Sequence, residues 1–204
     1  MKYKTKIRVE DERRTNIVTE FLEKYFYPNT EGYQKIDTVD EQIKGIDSKF
    51  TLNGVFYNCD EKAAVRYRYL NTFALEISFI NTRKDITDGW FVDKNKVNNS
   101  YLFVWIDEAD SEEIHSVDEI HKAEIALVKK ENIAKYLRSL GFDREKLVDT
   151  AYNMRANAIE HNGNAKTMGY KFTHSMKLNE APINVLIPRK NLIKMSDFTK
   201  IYNI

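Results

Sequence analysis

The apolar residues of this chain change period along its length, and the changes mark out its elements. Between residues 11 and 26, Ile17, Val18, Phe21, Leu22, Tyr25 and Phe26 recur at helical spacing and Pro28 follows closely, which predicts an opening amphipathic helix. From 42 to 62 the pattern turns to strand chemistry, split at Asn53-Gly54, the strongest short-range signal for a two-residue hairpin loop. Two antiparallel strands are expected there. Residues 72–80 alternate, with Phe73, Leu75, Ile77 and Phe79 on one side, and 101–106 form a short aromatic and β-branched run, so both read as strands. An acidic, solvated segment is expected at 107–119 and a strand at 123–128. Helical spacing then takes over at 131–140, stopped by Gly141, and at 145–160, where Leu147, Val148, Ala151, Met154, Ala158 and Ile159 share a face. Further strands are expected at 170–177 and 183–187. One helix, a run of strands and then mixed elements predict an α+β or mixed α/β domain on a central sheet flanked by helices.

Composition narrows the functional classes. A chain of 204 residues with 42% hydrophobic content can bury a core, and its 7 glycines and 3 prolines form no linker, so one domain over 1–204 is expected. Its net charge is only +1, so any nucleic-acid surface must be a local basic patch. The single cysteine, Cys59, excludes an internal disulfide, and the N-terminal residues carry no apolar run, which points to a cytoplasmic protein. No stretch approaches the roughly 20 apolar residues that span a bilayer, so no membrane function is expected. The four histidines, His115, His121, His161 and His174, lack zinc-ligand spacing. Gly163 stands too near Lys166-Thr167 for a phosphate-binding loop, so no nucleotide cofactor is expected.

The hairpin carries the chemistry. With Asn53 and Gly54 as its loop, Leu52 faces Val55, Phe50 faces Tyr57, Lys49 faces Asn58 and Asp47 faces Asp60. Period-two alternation gathers Asp47, Lys49, Asn58, Asp60 and Lys62 on one face and leaves Phe50, Leu52, Val55 and Tyr57 on the other. Opposed carboxylates on neighbouring strands lie about 5 Å apart at Cβ and repel unless a positive charge stands between them. A cation is the simplest remedy, and Mg²⁺ in phosphoryl-transfer sites is held by one or two carboxylates with water and substrate phosphate completing the octahedron. Lys62, two residues beyond Asp60, points to the same side, where its amine can orient a water or offset charge in a pentavalent transition state.

An opening helix, an Asp closing Gly45-Ile46-Asp47, a hairpin, and Asp60-Glu61-Lys62 on the next strand together resemble the PD-(D/E)XK nuclease superfamily, over the stretch from the helix to about Ile106. Ile46 stands where the family name has proline. The resemblance implies a restriction-endonuclease-like fold whose catalytic core is about 10–130, with 131–204 completing it. It implies that Asp47 and Asp60 bind Mg²⁺, or Mn²⁺ in its place, and that Lys62 assists catalysis. The implied activity is hydrolysis of DNA phosphodiester bonds by a restriction-enzyme or phage-type endonuclease, working as a homodimer in which each protomer cuts one strand.

Other candidates stand beside plainer readings. Glu76, between Leu75 and Ile77, is either an auxiliary metal ligand or an exposed strand glutamate, and Glu10, near Arg14 on the opening helix, is either an accessory ligand or a helix N-terminal acid favoured by the dipole. Glu61 alternates onto the core face, which a strand end or a bulge would explain. Trp90, Tyr101, Phe103 and Trp105 are expected in the core, while Arg66, Arg68, Arg83, Lys84, Lys94 and Lys96 are either phosphate contacts or solvated charge. Glu160-His161-Asn162 is expected to end a helix that turns at Asn162-Gly163. Two competing functions are a catalytically inactive module that keeps the fold for nucleic-acid or protein binding, and an unrelated α+β enzyme using His161 or His174, which lacks a recognisable nucleophile partner.

Overall fold

A computed structural model describes the backbone of residues 6–65 and 68–204, and their side chains from residue 16 onward. Glu10, Arg14 and Arg66 therefore lie outside the described side chains. The opening helix α1 spans Lys6–Tyr25 and buries Ile17, Val18, Phe21 and Leu22, the stripe its spacing sets out. Strand β1 (Glu31–Lys35) follows, then a short helix α2 (Val39–Ile43) where strand had been expected to begin. β2 (Ser48–Leu52) and β3 (Val55–Ala64) form the hairpin. Asn53 and Gly54 both take positive φ, 52° and 76°, the backbone that a tight primed turn requires. Then come β4 (Thr72–Ile80), β5 (Ile86–Asp88), β6 (Ser100–Ala109) and β7 (Ile120–Lys129). Helices α3 (Lys130–Ser139) and α4 (Arg144–Ala156) pack next, followed by β8 (His161–Asn164), α5 (Ala165–Met168), β9 (Tyr170–His174), β10 (Ile183–Pro188), α6 (Arg189–Lys194) and β11 (Phe198–Asn203).

The strands form two sheets in a mixed α+β architecture. One is six-stranded in the order β1-β2-β3-β6-β7-β11, and the other is five-stranded in the order β5-β4-β10-β9-β8. The first is mixed, because β3 and β6 run parallel while its remaining pairs are antiparallel. A parallel pair needs a long crossover, and here β4 and β5 supply it by joining the second sheet.

β6 is covered on both faces. Leu102, Val104 and Ile106 enter a core shared with α1, Phe50, Tyr57 and Cys59, while Tyr101, Phe103 and Trp105 enter a second core with Leu75, Ile77, Val185 and the apolar faces of α3 and α4. This explains why its sequence is a continuous apolar run where β4 alternates. Among the described residues no helix is long and apolar enough to cross a membrane.

Several expectations are corrected. The acidic segment 107–119 is not wholly solvated: β6 continues to Ala109 and Asp107 is buried. Its carboxylate accepts two hydrogen bonds from the Arg189 guanidinium, at 2.8 and 2.6 Å, and Arg189 Nε donates to Glu124 at 2.6 Å above the Trp105 ring. The second helix ends at Ala156 rather than running to residue 160, and His161-Asn162 belong to β8 instead of a helix terminus. Polar strands β1, β8 and β11 carry too few apolar positions to announce themselves by alternation.

Removing one partner from a buried ion cluster strands the others without compensation. Arg189→Ala is expected to cost about 3–5 kcal/mol of stability, read as a lower urea midpoint, whereas Lys24→Ala at the exposed, solvent-screened Lys24–Asp118 pair is expected to leave the midpoint essentially unchanged.

Candidate active site

The register of the hairpin is the one its turn dictates. Ser48 faces Cys59, Lys49 faces Asn58, Phe50 faces Tyr57 and Leu52 faces Val55, with no slip. The ladder ends at Ser48 and Cys59, and Asp47 does not continue its register opposite Asp60: its amide donates to the Cys59 carbonyl at 2.8 Å, and its carboxylate accepts from the Glu61 amide at 2.9 Å. Asp60 and Lys62 project to the face of β3 opposite Cys59, toward Tyr101 and Phe103 on neighbouring β6. The sheet thus brings Asp47, Asp60 and Lys62 together.

Electrostatics set this cluster apart from ordinary surface charge. Asp60 is only 3% exposed. Burial pushes its carboxyl up to about 6; Lys62 pulls the other way, and the nearby Asp47 charge pushes it up again. Lys62 donates to Asp60 Oδ1 and lies 4.9 Å over the Trp90 ring, a half-buried aromatic that lends its face to the ammonium. Trp90 also packs edge-on against Tyr101, 5.2 Å between centroids.

The floor beside Asp60 comes from residues that carry no motif. Gly45 takes φ +77°, and a Cβ there would sit 3.0 Å from Lys96 Cδ, 3.3 Å from Asn98 Oδ1 and 3.6 Å from Asp60 Oδ2. Only glycine lets the backbone come this close. Asn98 is buried and donates to the Ser100 carbonyl at 3.0 Å. Lys130 donates to the Lys96 carbonyl at 3.1 Å and reaches Asn98 Oδ1 at 3.5 Å. Burial lowers the Lys130 pKa, while the charges of Asp60 and Asp93 oppose that shift. Neither Asn98 nor Lys130 was singled out by sequence, because each comes from a turn or helix start far from the hairpin.

Glu61 occupies the α1 side of β3 as alternation requires, and no bulge is needed to explain it. Its carboxylate accepts a hydrogen bond from the Tyr27 hydroxyl, which also lies 2.8 Å from Ser48 Oγ. Burial pushes the Glu61 carboxyl up to about 7, the Tyr27 bond pulls it down, and Asp47 pushes it up. Burial likewise drives the Tyr27 hydroxyl and the Cys59 thiol well above their ordinary values.

The remaining candidates separate. Glu76 is half-buried; burial raises its carboxyl pKa, the Trp90 amide lowers it, Glu180 raises it and Lys62 lowers it. Among the described residues no group of three His, Cys, Asp or Glu side chains stands in metal-ligand geometry. Arg68 is spent on the carbonyls of Val65, Ser111 and Glu112, a structural use. Arg83 and Lys84 lie on the exposed turn between β4 and β5, while Lys94 and Lys96 flank the site. Tyr101, Phe103 and Trp105 are core, fully buried. His174 is buried with neither ring nitrogen hydrogen-bonded, and its pKa is lowered first by burial and then by Arg155.

A carboxyl whose folded pKa lies above its unfolded value stabilises the fold when protonated, and that contribution is lost as pH rises through the folded value. For Asp60 the window runs from about 4 to about 6. Asp60→Asn is therefore expected to be more stable than wild type at pH 7.5, by about 3 kcal/mol at most, with the difference vanishing near pH 4 in parallel thermal melts. Equal destabilisation by Asp60→Asn at both pH values would contradict this electrostatic account.

Comparison of the chain with family models, with curated proteins and with solved structures gives no match.

Proposed function

We propose that this chain is a Mg²⁺-dependent phosphodiesterase that cuts DNA, of restriction-enzyme or phage-nuclease type, with Asp47, Asp60 and Lys62 as its catalytic core. One observation carries the reading: two carboxylates converge at a hairpin, one of them buried and raised in pKa first by that burial and further by the other's charge, with the Lys62 ammonium bonded to it. Such an arrangement costs free energy that a purely structural pair of acids would not need. Their hard oxygens fit a divalent ion that keeps most of its water. Bound there, Mg²⁺ or Mn²⁺ would polarise the scissile phosphate and lower the pKa of a coordinated water.

The chain's own residues would do the rest. Asp47, fixed by the Glu61 amide, and Asp60, fixed in the sheet, hold a rigid pair of oxygens. Lys62 would donate to a phosphoryl oxygen as negative charge builds on it. The oxygen of a water attacks phosphorus and its proton passes to solvent, the bond to the leaving oxygen breaks, and the leaving oxygen takes a proton from solvent. Lys96 and Lys130 stand beside Asp60 to bind the neighbouring phosphate. A cytoplasmic homodimer completes the proposal.

The other reading is an inactive binding module, and the closed Lys62–Asp60 ion pair favours it. Incubation with plasmid and single-stranded DNA separates the two. Cleavage is expected with Mg²⁺ and not with EDTA, and Asp47→Ala, Asp60→Ala and Lys62→Ala are each expected to lose at least about 10²-fold in rate while remaining folded by circular dichroism. Undiminished cleavage by Asp60→Ala would remove the site from consideration.

A further inference from the structure

Beside the carboxylates, α3, the start of α4 and residues 91–96 enclose a cleft of about 310 Å³. Its volume is at the lower end of the roughly 300–1,000 Å³ typical of small-molecule pockets, enough for one flat ring system and far short of a duplex. The interior is apolar, made by Phe91, Val92, Leu137, Phe142 and Leu147. Around it stand the cations Lys94, Lys96, Lys130 and Arg138; Lys96 Nζ donates to the Ile43 carbonyl at 2.7 Å and Lys130 Nζ to the Lys96 carbonyl at 3.1 Å, and each ammonium keeps further protons to offer. Three further charged side chains at the rim are already committed: Asp93 accepts from the Asn95 amide at 2.9 Å, Asp143 caps α4 by accepting from the Lys146 amide at 2.8 Å, and Arg144 donates to the Val92 carbonyl at 2.7 Å and to Asp88 at 2.5 Å.

The cleft and the carboxylates share a wall. Lys96 and Lys130 line the cleft, and the same two side chains border Asp60: Lys96 Cδ and Asp60 Oδ2 crowd the same space above Gly45, and Lys130 feels the Asp60 charge. An apolar cleft whose cations Lys96 and Lys130 also border Asp60 matches the two halves of a nucleotide. The base would be desolvated against hydrophobic side chains, and the phosphate would meet ammonium groups. A base can enter such a slot only when unstacked, which a single strand allows at little cost and a duplex resists.

We propose that this cleft is a nucleobase subsite, taking one unstacked base of a single-stranded nucleic acid whose adjoining phosphate rests on Lys96 and Lys130 beside Asp60. The inference rests on the phosphodiesterase reading of Asp47, Asp60 and Lys62 and adds which form of substrate that site receives.

Binding without metal tests the cleft apart from catalysis. Three labelled probes are titrated onto the full chain in EDTA: a short single-stranded oligonucleotide, the same backbone with every base removed, and the corresponding duplex. Wild type is expected to bind the intact single strand roughly tenfold or more tighter than the abasic strand, the effect of losing one stacked base, and tighter than the duplex. Ala134→Phe, which fills the cleft from α3, is expected to erase that preference with its melting temperature unchanged. Equal binding of intact and abasic strands by wild type overturns the proposal, and this comparison decides alone if Ala134→Phe does not fold. Base preference in a chain that never cleaves with Mg²⁺ keeps the subsite and sinks the phosphodiesterase reading, and cleavage without base preference does the reverse.

Discussion

A carboxylate placed on the inner face of a sheet has to be compensated or it will not stay ionised, and Asp60 is held in that position. Its strand pairs with β2 up to Cys59 and with β6 from Cys59 to Ala64, which fixes the face to which the side chain points. Asp47 meets it from the end of β2, tied by the Glu61 amide. Lys62 is the nearest compensation, and Trp90 and the buried Asn98 close the surroundings. Burial raises the Asp60 pKa and lowers that of Lys130, the Asp60 charge opposes the Lys130 shift, and the crowding at Gly45 belongs to the same neighbourhood.

Confinement depends on both faces of the six-stranded sheet being packed. On one face α1 lays Phe21 and Leu22 against Phe50, Cys59 and Leu102; on the other, Tyr101, Phe103 and Trp105 meet the second sheet and the helices α3 and α4. Glu61 shows the same logic on the α1 side, where Tyr27 and Ser48 supply the hydrogen bonds that a carboxyl in such a place needs. Two acidic residues adjacent in sequence thus point to opposite sides of one strand, each with its own compensating group. The Arg189 cluster with Asp107 and Glu124 solves a comparable problem at the far end of β6.

The hairpin and its two-faced alternation were legible because the signals are local: an Asn-Gly turn sets the register, and period two then assigns every side chain. Alternation along β3 put Asp60 and Lys62 on one face, while Asp47 joins them from just outside the paired register, through its bond to the Glu61 amide. α1, β4, β6 and β7 were legible for the same reason, each carrying its periodicity within a single stretch. What sequence could not show depends on distant segments meeting. Nothing near Asn98 or Lys130 hints that a turn and a helix start would border Asp60, and the acidic look of 107–119 concealed a buried Asp107 whose partner lies 82 residues away. Strands β1 and β8 were missed because their residues are polar and exposed, so pairing rather than burial defines them.

In the proposed mechanism, the confined charge is what a divalent ion would relieve, and the cleft beyond Lys96 and Lys130 is where the rest of the nucleotide would lie. The most direct test is an anomalous difference map from a crystal of the full chain soaked in Mn²⁺. The account predicts one strong peak between the Asp47 and Asp60 carboxylates, with Lys62 turned away from Asp60. A map with no peak there, and Lys62 still bonded to Asp60, would contradict it.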